Sequence, residues 1–253
     1  MQVIFITGGA TGIGRACVEK FYKEGFAVAF MDINEGAALD LVNSLDDKDR
    51  VFFIKGSTRS TADLEMAVAQ IENKFNRLDC LFVNAGIHQR NNILNITDEE
   101  LDTIVGTNII GSVNTIRKSL PLMIKSKGTS IVINASDQVF VGKKNNFGYG
   151  LTKGALGQMT KNLSLDLGQY NIRVNAVCPG TIHTPLVDNL FEKFAKINND
   201  NIQDYWDEEN ALFARGSVGQ PWEVAEFVYF LSSDKAAFCT GGQYLIDGGL
   251  CAG

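Results

Sequence analysis

A chain of 253 residues with 45% apolar and 21% charged side chains has an ordinary globular balance and enough length to bury a sizeable core. A formal charge of -6 leaves no basic footprint for nucleic acid or an anionic membrane, and no apolar stretch reaches spanning length. Five cysteines without a C-x-x-C pair and only two histidines argue for buried, reduced thiols and against a zinc site, so no metal is expected.

In chain order, continuous apolar runs fall at Val3–Thr7, 27–31, 51–54, Cys80–Val83, Ser130–Asn134 and 173–177. Unbroken runs of this kind are how strands read when helices cover both faces of a sheet. Helical stretches are expected at 13–24, 34–45, 62–75, 99–126, 149–167 and 223–231, with one last strand at Gln243–Ile246. No basic segment or cleavage site precedes the first run, so no signal peptide is expected and the location implied is cytoplasmic. The alternation predicts a Rossmann-type α/β fold, a doubly wound parallel sheet in a three-layer α/β/α domain spanning 1–253. Segment 186–213 breaks the rhythm. It is rich in Asn, Asp, Glu and aromatics, which fits two short helices around a polar turn acting as a substrate lid.

After the first strand comes Thr7-Gly8-Gly9-Ala10-Thr11-Gly12-Ile13-Gly14, opening a helix. Glycines there permit a tight turn and let a pyrophosphate approach the backbone, while the helix N-terminus offers unpaired N–H groups. Gly8, Thr11, Gly12, Ile13 and Gly14 are therefore cofactor-binding candidates. Asp32 ends the second strand, eighteen residues after Gly14. A carboxylate at that place accepts from both ribose hydroxyls and repels a 2′-phosphate. Neither Ile33 nor Thr11 offers a neutralising cation, and Arg15 follows Gly14, so the expected cofactor is NAD rather than NADP.

Ser136 follows the fifth strand, and Tyr149 and Lys153 sit four apart at the start of a helix. That spacing puts them on one face, where an ammonium and an oxidised nicotinamide ring both favour the phenolate. The tyrosine then exchanges a proton with substrate oxygen while nicotinamide exchanges the hydride, and Ser136 hydrogen-bonds that oxygen. The expected substrate is a small secondary alcohol or ketone, with a sugar or polyol suggested by the Asn- and Asp-rich lid. Asp137 and Gln138 are possible pocket residues. His88 reads as a loop histidine, and in His183 the backbone counts for more than the ring. Lys143-Lys144 reads as a solvated turn, and Phe191, Phe194, Tyr205 and Trp206 as lid lining or ordinary helix core.

Taken together, Thr7-Gly8-x-x-x-Gly12-Ile13-Gly14, Asn84-Ala85-Gly86, Asn108, Ser136, Tyr149-x-x-x-Lys153, Pro179-Gly180 and Asp247-Gly248-Gly249 resemble the short-chain dehydrogenase/reductase family in its compact form. The resemblance runs from Ile6 to Gly249. It implies an NAD-dependent enzyme acting on CH–OH groups, with Asn108, Ser136, Tyr149 and Lys153 as catalytic residues. Tyr149 would be the general acid/base, and Lys153 its modulator and a donor to the nicotinamide ribose. Asn108 would mark a helix distortion that holds a relay water. It implies cofactor contacts from Asn84, Ala85 and Gly86, and from Pro179, Gly180, Ile182 and Thr184 around the nicotinamide amide. Where the family often carries an acid beside the adenine, Ser57 stands here. The family commonly forms tetramers, so a homo-oligomer, tetramer or dimer, is implied. A competing reading is an NAD-binding sensor or scaffold that has lost its chemistry, and another is epimerisation or dehydration on the same cofactor.

Overall fold

The computed structural model describes residues 1–127 and 129–252. The strands are β1 (Val3–Thr7), β2 (Ala27–Asp32), β3 (Val51–Lys55), β4 (Cys80–Val83), β5 (Ser130–Asn134), β6 (Arg173–Pro179) and β7 (Gln243–Ile246). All pair in parallel in the order β3-β2-β1-β4-β5-β6-β7. This is the doubly wound Rossmann-type sheet expected from the apolar runs. Parallel neighbours need crossovers, and the helices that supply them cover both faces. The strand order reverses its progression between β1 and β4, so the connections leaving these two parallel strands run to opposite sides of the sheet and leave a crevice at their carboxyl ends, which is where open α/β sheets bind ligands.

The helices are α1 (Gly12–Lys23), α2 (Glu35–Ser44), α3 (Thr61–Phe75), α4 (Asp98–Val105), α5 (Gly111–Lys125), α6 (Phe147–Leu167), α7 (Pro185–Asn198), α8 (Ile202–Ala211) and α9 (Pro221–Ser232). Two cores flank the sheet. Phe5, Ala29 and Leu81 face Leu64, Ile71, Ile116 and Leu156 of α3, α5 and α6. Ile4, Ile6 and Phe82 face Cys17, Phe21, Leu41 and Val228 of α1, α2 and α9. The alternation along β1 follows from the two-residue period of a strand. Phe5, Phe21, Phe30 and Phe82 are fully buried, and truncation of any one to Ala would cost about 3–5 kcal/mol.

The helix starts carry local signals. Asn34 accepts from the Ala37 N–H, Ser60 accepts from the Asp63 N–H, and Thr97 and Glu100 form a reciprocal capping box. The stretch expected as one helix over 99–126 is instead α4 and α5 joined by a π-helical turn, Gly106–Ile110. The Gly111 N–H donates to Gly106 O, five residues back, which opens the helix at Asn108. The cysteines are all free thiols. Cys17, Cys80 and Cys178 are buried, whereas Cys239 and Cys251 are only partly so, short of the burial expected for all five. Among the described residues no helix is long and apolar enough to cross a membrane.

Candidate active site

A cavity of about 740 Å³ follows the carboxyl edge of the sheet. It runs from Asp32, Ile33 and Arg59, past Gly8 and Gly12, to Ser136, Tyr149 and Lys153, and ends under Leu186 and Phe191 of α7.

At the first end the wall is largely backbone. Gly8 and Gly12 have φ of 66° and 54°, a region glycine enters without strain. A Cβ on Gly12 would lie 3.2 Å from Thr184 Cγ2, so the loop closely approaches the segment after β6. Thr11 is the N-cap of α1 but makes no side-chain cap bond, and the first turn carries no acidic residue. The first-turn N–H groups and the helix dipole are thus left for an anion. Gly8, Thr11, Gly12 and Ile13 line the cavity, whereas Gly14 does not. Its role is packing, since a Cβ there would sit 1.9 Å from Gly8 O.

Asp32 stands on the wall with each oxygen fixed by the backbone. Oδ2 accepts from the Ala10 N–H and Oδ1 from the Asn34 N–H, both at 2.9 Å. A carboxylate oxygen has a second lone pair, so both remain able to accept from a ligand hydroxyl. Arg15 turns away to Glu19 and is absent from the wall. Arg59 does reach the wall, but it is ion-paired to Asp102 at 2.9 Å. Ser57 is there as well, its N–H held by Asp63 Oδ2 at 2.8 Å. Asn84 braces the crevice: its Nδ2 donates to Thr7 O and Gly8 O, and its Oδ1 accepts from Asn134 Nδ2. Ala85 and Gly86 complete that side of the wall, with the Ala85 N–H donating to Thr7 Oγ1.

Tyr149 and Lys153 enter from the first two turns of α6, and Lys153 Nζ lies 5.4 Å from the phenol ring centroid. Lys153 is 5% exposed, and its Nζ donates to Asn134 O at 2.7 Å. Burial lowers its pKa to about 8. Burial also drives the Tyr149 phenol well above its ordinary value; the Ser136 hydroxyl opposes this and the Asp137 charge adds to it. Desolvation is the largest influence on the phenol. Ser136 donates to Asp137 Oδ1 at 2.7 Å and accepts from the Gln138 N–H at 3.2 Å.

Pro179, Gly180, Ile182 and Thr184 line the cavity beside this group. The segment is pinned by the His183 N–H to Gly219 O, 2.9 Å, and by Thr181 Oγ1 to Glu209 Oε1 of α8. Asn108 is not on the wall. Its side chain bonds Ile87 N–H and O and Thr152 Oγ1, tying the π turn to the loop after β4 and to α6.

Three readings from sequence change. His88 is not a solvated loop histidine. It lines the cavity, its ring lies 4.6 Å from the Tyr149 ring, and Nε2 pairs with Asn146 Oδ1 at 2.6 Å. Burial lowers its pKa, which keeps the ring neutral. Lys143 is not simply a solvated turn residue, since its Nζ stands 2.8 Å from Asp137 Oδ2 on the cavity wall. The aromatics of 186–213 divide. Phe191 lines the cavity and packs on Trp206 at 4.7 Å. Phe194 and Tyr205 join α7 to α8 at 6.2 Å. The two helices and their polar turn match the expected hairpin. No sequence period signals His88 or Lys143, which reach the site only through loop geometry. Among the described residues no cluster of His, Cys, Asp and Glu has the makings of a metal site.

The family model described as Enoyl-(Acyl carrier protein) reductase matches residues 8–251. The L-fucose dehydrogenase of Mus musculus is 35% identical over 250 residues, covering 98% of this chain and 88% of that protein. A solved short chain dehydrogenase family protein from Francisella tularensis superposes with TM-score 0.90 at 37% identity, covering 100% of both chains. Thermoplasma acidophilum aldohexose dehydrogenase, solved ligand-free, gives TM-score 0.89 at 31% identity, covering 100% of this chain and 94% of that one. With the glycine cradle and the Ser136, Tyr149 and Lys153 group on one cavity wall, the chain belongs to the short-chain dehydrogenase/reductase family, oxidoreductases that work with a nicotinamide cofactor.

Proposed function

We propose that the protein is an NAD(H)-dependent oxidoreductase interconverting a secondary alcohol and a ketone, with Tyr149 as proton-transfer residue and a sugar or polyol as substrate class. The observation that carries this is one continuous cavity with a phosphate-type cradle and Asp32 at one end and Tyr149, Lys153 and Ser136 at the other. The residues present fit a dinucleotide. Gly8, Gly12 and Ile13 leave backbone N–H groups for its phosphates, Asp32 accepts from adenosine ribose hydroxyls, and Ile182 and Thr184 flank the nicotinamide end. Asp32 and the engaged Arg15 and Arg59 favour NAD over NADP, because a 2′-phosphate would meet a carboxylate and no free cation among them.

When bound, the nicotinamide ring supplies hydride donation and acceptance. Tyr149 Oη gives its proton to the oxygen of a ketone, or takes the hydroxyl proton of an alcohol. Lys153, held to Asn134 O, places a cation beside the phenol and lowers the cost of the phenolate when oxidation calls for it. Ser136 sits where it can hydrogen-bond the substrate oxygen. Arg90, Gln138, Lys143, Asn146 and Glu209 give the substrate end a polar wall suited to several hydroxyls. The names of the mouse and Thermoplasma relatives, both sugar dehydrogenases, support the same class. Self-association as a tetramer or dimer is part of the proposal. It is supported by exposed apolar side chains on α6 and β7, among them Leu165 at 83% and Leu245 at 41%.

The test follows NADH and NADPH absorbance with each oxidised dinucleotide against a panel of aldoses and polyols that includes L-fucose. Turnover with NAD+ at a kcat/KM about tenfold or more above NADP+ supports the reading. A protein that binds neither dinucleotide contradicts it.

A further inference from the structure

The α7–α8 hairpin meets the rest of the site at the carboxyl end of α8. Asn210 Oδ1 accepts from the Val218 N–H at 2.9 Å. The next residue, Gly219, donates its N–H to Thr181 O at 3.0 Å and accepts from the His183 N–H at 2.9 Å. The last turn of α8 and the segment after β6 are thus braced on the same two residues. Phe213, 5% exposed, closes over that segment so tightly that a Cβ on Gly180 would lie 3.0 Å from its ring. Glu209 lies in this anchored turn, and its Oε1 accepts from the Thr181 hydroxyl. The carboxylate is therefore placed by the residue directly after Gly180.

Thr181 and Glu209 both line the cavity. Among the described residues Glu209 makes no ion pair, and its Oε2 has no hydrogen-bond partner. An ionised carboxylate accepts and never donates, so this part of the wall offers charged acceptors without a cation to satisfy them. The other charged groups at this end are engaged differently. Asp137 is taken by Lys143 at 2.8 Å and by the Ser136 hydroxyl at 2.7 Å. Lys153 Nζ donates to Asn134 O, Arg90 lies over the Phe194 ring, and Lys144 is exposed. A hydroxyl satisfies Glu209. A substrate with no second hydroxyl strips the carboxylate of water and returns nothing, and an anionic substrate meets a like charge.

We infer that Glu209 is a specificity-determining residue: it accepts from a substrate hydroxyl other than the one that reacts, and so selects neutral polyhydroxylated substrates over simple secondary alcohols and over sugar acids. Thr181 is its positioning residue. The inference rests on the reading of this cavity as the site of an alcohol–ketone oxidoreductase, and it assigns the choice of substrate to one side chain.

The test measures kcat/KM with NAD+ for three probes: the best neutral aldose of the panel, the uronate of the same configuration, and cyclohexanol. They are run on wild type, Glu209→Gln, Glu209→Ala and Thr181→Val. In wild type the aldose leads both other probes by about tenfold or more. Glu209→Ala lowers the ratio of aldose to cyclohexanol by about 10–100-fold, the range of a charge-assisted hydrogen bond. Glu209→Gln keeps an acceptor and loses the charge, so it costs the aldose less but narrows the gap between aldose and uronate. Thr181→Val moves the ratios the same way by a smaller factor, and the KM for NAD+ stays close to wild type throughout. A loss shared equally by all three probes, as a merely structural Glu209 would give, overturns the inference. So does a variant that raises the KM for NAD+ and leaves the ratios alone, or a wild type that accepts cyclohexanol or the uronate as well as any aldose. If Glu209→Ala does not fold, Glu209→Gln decides, and an unmoved ratio of aldose to uronate overturns it. A wild type that binds neither dinucleotide strikes the functional reading and this inference together, whereas an active wild type with unmoved ratios in the variants strikes this inference alone.

Discussion

The two ends of the cavity are built differently. At the Asp32 end the wall is backbone, with Gly8, Gly12, the first turn of α1 and a carboxylate pinned by two N–H groups. At the Tyr149 end the wall is side chains from separate loops: His88 against Tyr149, Asp137 against Lys143, and Glu209 reaching from α8 to Thr181. Backbone recognises what all dinucleotides share, and leaves few positions free to vary. Side chains on loops recognise what differs between substrates. The hairpin of α7 and α8 follows the second logic, since the two helices pack mainly on each other through Phe191, Phe194, Tyr205 and Trp206. The same division separates binding from chemistry, and substitutions at the two ends should separate KM for NAD+ from kcat.

Apart from loss of the Tyr149 phenol itself, the largest of these effects is expected from Ser136→Ala. If Ser136 meets the substrate oxygen as proposed, removing its hydroxyl should lower kcat about 10²–10³-fold, with NADH affinity unchanged by fluorescence titration. An equal loss in cofactor affinity would mean the two ends are not independent. Next, Asp32→Ala removes a charged acceptor worth about 1.5–3 kcal/mol, so the KM for NAD+ should rise about 10–100-fold while kcat holds. Steady-state kinetics with both dinucleotides would show whether NADP+ gains at the same time.

A middle-sized effect concerns stability. Lys153 titrates at about 8 in the folded protein, below its ordinary 10.5. Between those values the unfolded chain binds more protons, so this group's penalty on folding is full below about pH 8 and is relieved as pH rises. Lys153→Met should therefore raise Tm by about 5 °C at pH 7, and the gap should narrow toward pH 10 in calorimetry. A gap that widens with pH would reverse the assigned sign. The smallest effect should come from Phe194→Ala, which removes the ring 4.7 Å under the Arg90 guanidinium. A cation–π contact of about 0.5–1 kcal/mol predicts a roughly threefold rise in substrate KM and no change for NAD+.

What the sequence made legible follows the same line. The strands, the glycine turn and the four-residue spacing of Tyr149 and Lys153 are local, set by neighbours along the chain, and the apolar runs found all seven strands to within two residues. The π turn at Gly106–Ile110 leaves no mark in a helical period, so 99–126 read as continuous. His88 and Lys143 meet Tyr149 and Asp137 only after two loops close over the sheet edge, and no one-dimensional pattern encodes that meeting. Gly14 has the motif's identity but not its contact, because its hydrogen faces Gly8 O and not the cavity. Desolvation was equally hidden. Spacing places an ammonium beside the phenol, but only the folded site shows that burial drives the phenol further above its ordinary value.

The most direct measurement is turnover and NADH affinity of Tyr149→Phe side by side. The expected result is a kcat lower by about 10²–10⁴-fold with a dissociation constant for NADH close to wild type. Turnover at the wild-type rate would contradict the assignment of proton transfer to the phenol.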